Sequence, residues 1–388
     1  MIMVGKVVIA LIWTLWLFAS GSVAEGAKKT PHDHSKMSME ERRAVQRMWE
    51  EEEKPKPEYN PTYSTTYNRV IERGYVICGT NDEFPGFSQE KYTNEGGVKW
   101  TGFDVDMCRA VAVAIFGDAD AIEFEIVNGK TRFTFLIDGT IDMLSAATTY
   151  TYTRNVYKKL EFMPTTYYDG QGFIVRKTLG VSSAKQMQGA RICFSGSGTA
   201  AKNIADFMEV HGIKYIPVAV SPNEKTKNVY KRGECDMYGT DRSGLASNRL
   251  SFDDPDRHMI LPEIISKEPL GPVVRYGDQK WSDIIRWTIF VLFIAEEMGI
   301  NSKNIDTFKN HIDPNIQRFM GEKNGKDHPH LGAKLGLDAM WSYNVIKEVG
   351  NYKEIYERNV GENTPIGLAR GLNKLYIHGG LLYAPPLK

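Results

Sequence analysis

Twice along this 388-residue chain, short apolar runs alternate with segments whose apolar residues recur at helical spacing. That doubled alternation constrains the fold more than any other feature. The first block opens with the apolar run Tyr75-Val-Ile-Cys78 and the loop Gly79 to Phe87. A helix then begins near Asp104 and carries Ala110, Val111, Ala114 and Ile115 on one stripe until Gly117 stops it. Ile122 to Val127 alternates as a strand, Lys130 to Leu136 reads as a helix ending at Gly139, and Ile141 to Leu144 is the next strand. The second block repeats the scheme. Val181 to Met187 leads a helix, Arg191 to Phe194 is a strand, and Gly196 to Thr199 is a turn. A helix through Ile204 and Phe207 follows, then the strand Tyr215 to Val220, a helix around Val229 and Tyr230, the strand Asp236 to Tyr238 and the helix Ser243 to Leu250. Strands alternating with helices of about 10–15 residues imply βαβ units and a parallel sheet. Two blocks in tandem predict two α/β units in place of one large sheet.

Outside the blocks the chain changes character. Lys6 precedes an apolar run from Val7 to Ala19 that only Thr14 interrupts, and Ser20 to Ala24 are small residues. A charged start, a short apolar core and a small-residue exit describe a secretory signal peptide, expected here to be cleaved after Ala24. The run is shorter than the roughly 20 residues that span a bilayer. Residues 25–66 form a charged and Pro-rich linker, with Lys54-Pro-Lys-Pro57 at its extended end. His32 and His34 within it lack the further ligands of a metal site. Trp287 to Ala295 is the greasiest later stretch, but Arg286, Glu296 and Glu297 bound it, so it reads as a buried helix.

Lys and Arg together number 48 and so do Asp and Glu, which removes the electrostatic footprint of a nucleic-acid binder. Selectivity must therefore come from a local site. The four cysteines of an exported chain suggest two disulfides, and four allow three pairings. Cys78 with Cys108 and Cys193 with Cys235 is the economical set, because each pair stays within one block; free buried thiols are the alternative. No CxxC motif or Cys/His cluster points to a metal or cofactor.

Several stretches, taken in order, resemble one family. They are Trp100-Thr-Gly-Phe-Asp104-Val-Asp106, Arg132-Phe-Thr-Phe-Leu136-Ile-Asp-Gly139-Thr-Ile-Asp142 and Thr151-x-x-Arg154. They continue in Tyr168-Asp-Gly-Gln-Gly-Phe-Ile-Val-Arg-Lys177, Thr240-Asp241-x-Ser-Gly-Leu245 and Leu261 to Pro272. Gly350-Asn-Tyr352, Glu357-Arg-Asn359 and Gly379 to Pro386 complete the series. Over residues 67–388 the chain resembles the polar amino-acid-binding receptors of ABC importers, and its later stretches resemble the general L-amino-acid-binding periplasmic branch. The resemblance implies a two-lobed periplasmic-binding-protein (Venus-flytrap) fold with two crossover strands. Lobe 1 would take 67–174 and 271–388, lobe 2 would take 178–265, and the crossovers would be Gly172 to Lys177 and Glu263 to Gly271. It further implies a periplasmic, monomeric receptor without cofactor or turnover, whose partners are a small amino acid and a membrane permease.

The chemistry of such a site follows from the ligand. A zwitterion needs a cation with two donors for its carboxylate, which Arg provides, and an anion for its ammonium, which Asp provides on a short stem. By position in the family motif, Arg154 is the expected carboxylate clamp and Asp241 the ammonium acceptor. Thr149, Thr199 and the amides near Gly198 are expected donors. Asn81 and Phe84 are expected over the ligand side chain. Asp241 could instead cap the helix that follows it, and Phe84 could be core. At positions 146, 147 and 200 this chain has alanine where the family commonly carries polar residues, which removes up to three contacts. Two other classes therefore stand beside the receptor: a sensor or interaction protein with a degenerate site, and a cyclohexadienyl dehydratase-like enzyme using Asp82 or Glu83 as its acid.

Overall fold

The computed structural model describes residues 65–92, 97–221, 224–322 and 330–388, all within the compact unit Pro61–Lys388. The expected signal segment, and the linker up to position 64, lie outside the described residues. Of Glu83 the backbone is described and the side chain is not.

Two five-stranded sheets carry the architecture. In the first, β1 (Val76–Thr80) is central and pairs in parallel with β5 (Ile122–Ile126) and β6 (Met143–Leu144). β15 (Val273–Arg275), antiparallel to both its neighbours β6 and β7 (Leu160–Phe162), completes the order β5-β1-β6-β15-β7. The second sheet repeats the pattern. Here β10 (Arg191–Ser195) pairs in parallel with β11 (Ile216–Val220) and β12 (Met237–Asp241), while β9 (Gln171–Arg176) is antiparallel to both its neighbours, β12 and β13 (His258–Ile260), giving the order β11-β10-β12-β9-β13. A hairpin extension, β2 (Glu83–Phe84), β3 (Ser88–Tyr92) and β4 (Val98–Thr101), sits on the first lobe. Between the two sheets, β8 (Tyr167–Asp169) and β14 (Glu268–Leu270) form a two-stranded ladder that sets Asp169 opposite Glu268.

Each sheet is covered on both faces, as its parallel centre requires. In the first lobe the helix Phe103–Phe116 is buried on nearly every side, so it is a core helix and not an amphipathic one. Gly117 ends it at φ 70°, its amide donating to Val113 O at 2.8 Å, a glycine cap that a side chain would strain. The helices Gln279–Glu297, Trp341–Val349 and Tyr352–Asn359 join the same core. None of the described helices is long and apolar enough to cross a membrane. In the second lobe the helices Ala200–Val210, Thr226–Lys231 and Arg242–Arg249 flank the sheet. Disulfides join Cys78 to Cys108 and Cys193 to Cys235, one in each lobe and both buried. Each ties a central strand of its sheet to the chain that follows.

Two expectations need correction. The helix expected from Val181 to Met187 is a single tight turn, Ala184–Gln186, closed by a capping box at Ser183. Gly180 and Gly189, both at positive φ, bracket it too closely for more. The segment Gly172 to Lys177, expected as a crossover, is instead paired up to Arg176 inside the second sheet as β9 (Gln171–Arg176). The chain passes between lobes one step earlier, at β8.

Candidate ligand-binding site

The two lobes meet across the cleft. Ser247 Oγ, on the helix Arg242–Arg249, donates to Pro85 O at 2.9 Å. Lys225 Nζ lies 3.7 Å from Asp82 Oδ2. A β-carbon on Gly129 would stand 2.0 Å from Ser197 Oγ, so the approach there demands glycine. Between these contacts lies a cavity of about 320 Å³, at the low end of the range for small-molecule sites. Asn81, Phe84, Arg132, Ala146, Ala147 and Asp241 are among the residues that line it.

Asp241 ends β12 and occupies the N-cap position of the helix Arg242–Arg249, yet its side chain accepts no capping hydrogen bond. The carboxylate is thus left for the cleft. Burial pushes it well above the usual carboxylate range, the carboxylates of Asp169 and Glu268 push it further, and Arg154 and Arg132 pull it back. Asp169, held by the amides of Gly170 at 2.8 Å and Ser243 at 3.2 Å, is pushed up to about 6, chiefly by burial. Glu268 is buried and accepts from Asn203 Nδ2 at 2.8 Å and Ser266 Oγ at 2.6 Å. Asn203 also reaches Gln171 Oε1 at 2.9 Å, so the connector strands and the helix Ala200–Val210 share one polar network. These acids gather on one side of the cleft.

The cations come from the first lobe. Arg154 lies in one turn of wide, π-type helix, Thr153–Tyr157, and is buried; its Nη1 donates to Thr149 O at 2.7 Å. Burial lowers its pKa, and Glu268 and Asp241 oppose that fall. Arg132 opens the helix Arg132–Asp138. Burial, then the like charge of Arg154, brings it down to about 9, with Asp241 opposing. Both guanidiniums lie over the Phe133 ring, at 4.8 Å and 5.3 Å from its centroid, and Lys158 Nζ lies 5.0 Å from it. One aromatic ring therefore neighbours both arginines.

The remaining expected residues fall as follows. Thr199 is the N-cap residue of Ala200–Val210 without using its side chain there, and its hydroxyl lies 3.5 Å from Glu268 Oε2. Thr149 is buried and pairs with Leu270 as a β-bridge. Phe84 lines the cavity and also stacks on Phe87 at 4.6 Å, so the two readings of this ring are not exclusive. Ala146 and Ala147 line the wall and bring no side-chain donor; Ala147 is held at φ 43° by its amide's bond to Asp104 Oδ2 at 2.9 Å. Buried Asp104 is itself pushed up to about 6. Ala200 opens its helix, its carbonyl accepting from Gln171 Nε2 at 3.3 Å. Sequence reading did not single out Arg132, Asp169 or Glu268. All three lie within the quoted motif stretches, but nothing in their spacing separates a cleft residue from a surface one.

Two α/β lobes, a paired-strand connector and a charge-lined cleft define a two-lobed solute receptor of the periplasmic-binding-protein type. The chain belongs to the bacterial extracellular solute-binding proteins, family 3, whose model matches residues 76–324. It is 47% identical over 325 residues to the general L-amino acid-binding periplasmic protein AapJ of Rhizobium johnstonii, covering 84% of this chain and 93% of that one. It is 43% identical over 326 residues to the glutamate/glutamine/aspartate/asparagine-binding protein BztA of Rhodobacter capsulatus, covering 84% and 94%. Among solved structures, a periplasmic binding protein from Brucella ovis with glutathione bound superposes with a TM-score of 0.80 at 42% identity, covering 84% of this chain and all of that one.

Proposed function

We propose that this chain is a periplasmic receptor that captures an amino acid, or a ligand carrying an amino-acid head group, and delivers it to the permease of an ABC importer. The observation that carries this reading is Asp241, a carboxylate at a helix N-cap whose capping bond is left unmade, which lines the cavity with Arg132 and lies within electrostatic reach of buried Arg154. In this role Asp241, with Asp169 and Glu268 behind it, takes the ligand ammonium, and Arg154 takes the carboxylate. Thr149 and Thr199 contribute from the two sides, and Asn81 and Phe84 meet the ligand side chain. The two lobes move about the β8–β14 ladder, the second lobe beginning at β9 and not at the expected position 178, and the ligand favours the closed state through contacts made only there. The protein works as a monomer and performs no chemistry on its ligand.

Names of relatives support the amino-acid head group, since the two curated relatives are described as amino-acid binders. Titration calorimetry across the common amino acids and glutathione tests the reading. Saturable, one-to-one binding of at least one of them is expected, and heat-silent titrations throughout would leave the sensor or interaction reading in its place. Export is expected to remove residues 1–24, so the intact mass of the exported protein should correspond to a chain beginning near Glu25. A full-length mass in the membrane fraction would contradict it.

A further inference from the structure

We propose that the segment from Tyr352 onward is a brace that fixes the crossover strand β8 to the first lobe, with Asn373 as its positioning residue. Bending of the lobes is thereby confined to one step of the chain, between Tyr168 and Gly170. The inference rests on the receptor reading above, because it concerns the motion which that reading requires. The residues of the brace lie outside positions 76–324, the stretch that the family model matches.

On one edge β8 pairs with β14. On its other edge no strand pairs with it among the described residues, and a side chain takes that place. The Tyr168 amide donates to Asn373 Oδ1 at 2.6 Å, and Asn373 Nδ2 donates to Tyr168 O at 3.2 Å. A side-chain amide offers one acceptor and a donor as a peptide group does, so the ladder continues for one residue. Asn373 is buried, and Arg370 fixes it: Nε donates to Asn373 O at 2.8 Å, while the guanidinium pairs with Glu296 at 3.1 Å. The same guanidinium lies 5.0 Å and 5.2 Å from the ring centroids of Tyr352 and Tyr356. Tyr352 donates its hydroxyl to Thr166 O at 2.7 Å, and Tyr356 stacks on Tyr167 with centroids 6.1 Å apart. Thr166, Tyr167 and Tyr168 are therefore all tied to the C-terminal segment.

The partners change at the next residue. Asp169 accepts from the Ser243 amide at 3.2 Å, and Gly170 O accepts from the Arg242 amide at 2.9 Å, both in the second lobe. On the other crossover the change falls at the same level. Pro269 O accepts from the first lobe's Tyr150 amide at 2.8 Å, whereas Glu268, the register partner of Asp169, accepts from Asn203 of the second lobe. A β-carbon on Gly170 would stand 2.3 Å from Ile264 Cγ2, so the two crossovers touch there. A strand held by one lobe up to Tyr168 and by the other from Asp169 bends where its partners change. Loss of the brace lets the bending spread back through β8.

Hydrogen exchange of the ligand-free exported protein, read amide by amide, tests this. The reporter is the Thr166 amide, which donates to Leu270 O at 2.9 Å and takes no part in the Asn373 contact. Its rate is taken relative to that of Ser145, whose amide donates to Gly79 O at 2.9 Å in the first-lobe sheet, because a fall in global stability speeds both alike. Asn373→Ala is expected to raise this ratio at least about ten-fold, since it removes two hydrogen bonds each worth about two- to ten-fold. Tyr352→Phe, which reaches the crossover at Thr166 O, is expected to raise it less, and it carries the test should Asn373→Ala fail to fold. Thr364→Ala removes two hydrogen bonds inside the same segment and none to β8, and is expected to leave the ratio unchanged. Calorimetry with glutamate and glutamine should show Asn373→Ala binding about three- to ten-fold more weakly than wild type, because a less confined hinge loses more freedom on closing. An unchanged exchange ratio or an unchanged affinity overturns the inference. Failure of the wild type to bind either amino acid counts against the receptor reading alone, since the exchange ratio is read without ligand.

Discussion

The two walls of the cleft are built from opposite charges on opposite supports. The first lobe presents arginines held by an aromatic ring and a carbonyl, Arg132 and Arg154 over Phe133, with Thr149 O behind. The far wall presents carboxylates: Asp241 on β12, and Asp169 and Glu268 on the connector. Neither wall is neutral alone. A zwitterion laid across the gap satisfies both walls only when they approach. Charge segregation between lobes thus converts ligand binding into closure, because the contacts that favour the closed state are the ones the ligand completes.

The largest expected effect comes from removing one wall's charge. Arg154→Ala and Asp241→Ala each leave a desolvated ligand charge without its partner, which costs roughly 2–5 kcal/mol, or about thirty-fold to several-thousand-fold in affinity. Equal affinities in wild type and both variants, measured by calorimetry, would break the comparison of walls outright.

Acidity should act on one wall and spare the other. Asp169 is pushed up to about 6 and Asp241 is pushed well above the usual carboxylate range, so protons occupy the acid wall as pH falls. A protonated carboxyl does not attract an ammonium, so affinity is expected to rise with pH and ligand binding to release protons. Below about pH 6 the fall is roughly ten-fold per unit for each proton that must leave. Arg132, at about 9, keeps its charge throughout that window. Calorimetry at pH 5 to 8 in buffers of different ionisation enthalpy measures the proton count. Proton uptake on binding would reverse the sign and sink this assignment.

Smaller effects belong to the rim, where the lobes touch without ligand. Ser247→Ala removes the bond to Pro85 O, worth about 0.5–1.5 kcal/mol of closure. Lys225→Ala removes an exposed pair with Asp82, worth about 0–1 kcal/mol and less at high salt. Small-angle scattering of the ligand-free protein should show the open population grow slightly in the first and hardly at all in the second. A larger change for Lys225→Ala than for either wall variant would show that closure is set at the rim.

Much of this was legible in residue order. The helix ended by Gly117, the turn at Gly139, the parallel strands around Cys78 and Cys193 and both disulfide pairings follow from local periodicity and block membership. The misreadings have local causes as well. Val181 to Met187 has helical apolar spacing but too few residues between two glycines at positive φ to form more than a turn. Gly172 to Arg176 has the same composition as a connector or as a sheet strand, and its pairing with β12 and β13 decides between them. Asp241 was readable as a helix cap from sequence, and it does hold that position; that its carboxylate leaves the amides unbonded depends on where the helix points.

By itself the order of residues determined the two-block α/β scheme, the cysteine pairs and the kinds of charge a zwitterion needs, because these depend on spacings of a few residues or on chemistry alone. Only the tertiary structure decided that Arg132 lines the cavity, that Asp169 stands opposite Glu268 and that Glu268 and Asp241 come within electrostatic reach of Arg154. Those residues are up to 136 positions apart in the chain, from Arg132 to Glu268. What unites them is burial and the long-range field between charges, and both exist only once the lobes have folded and met.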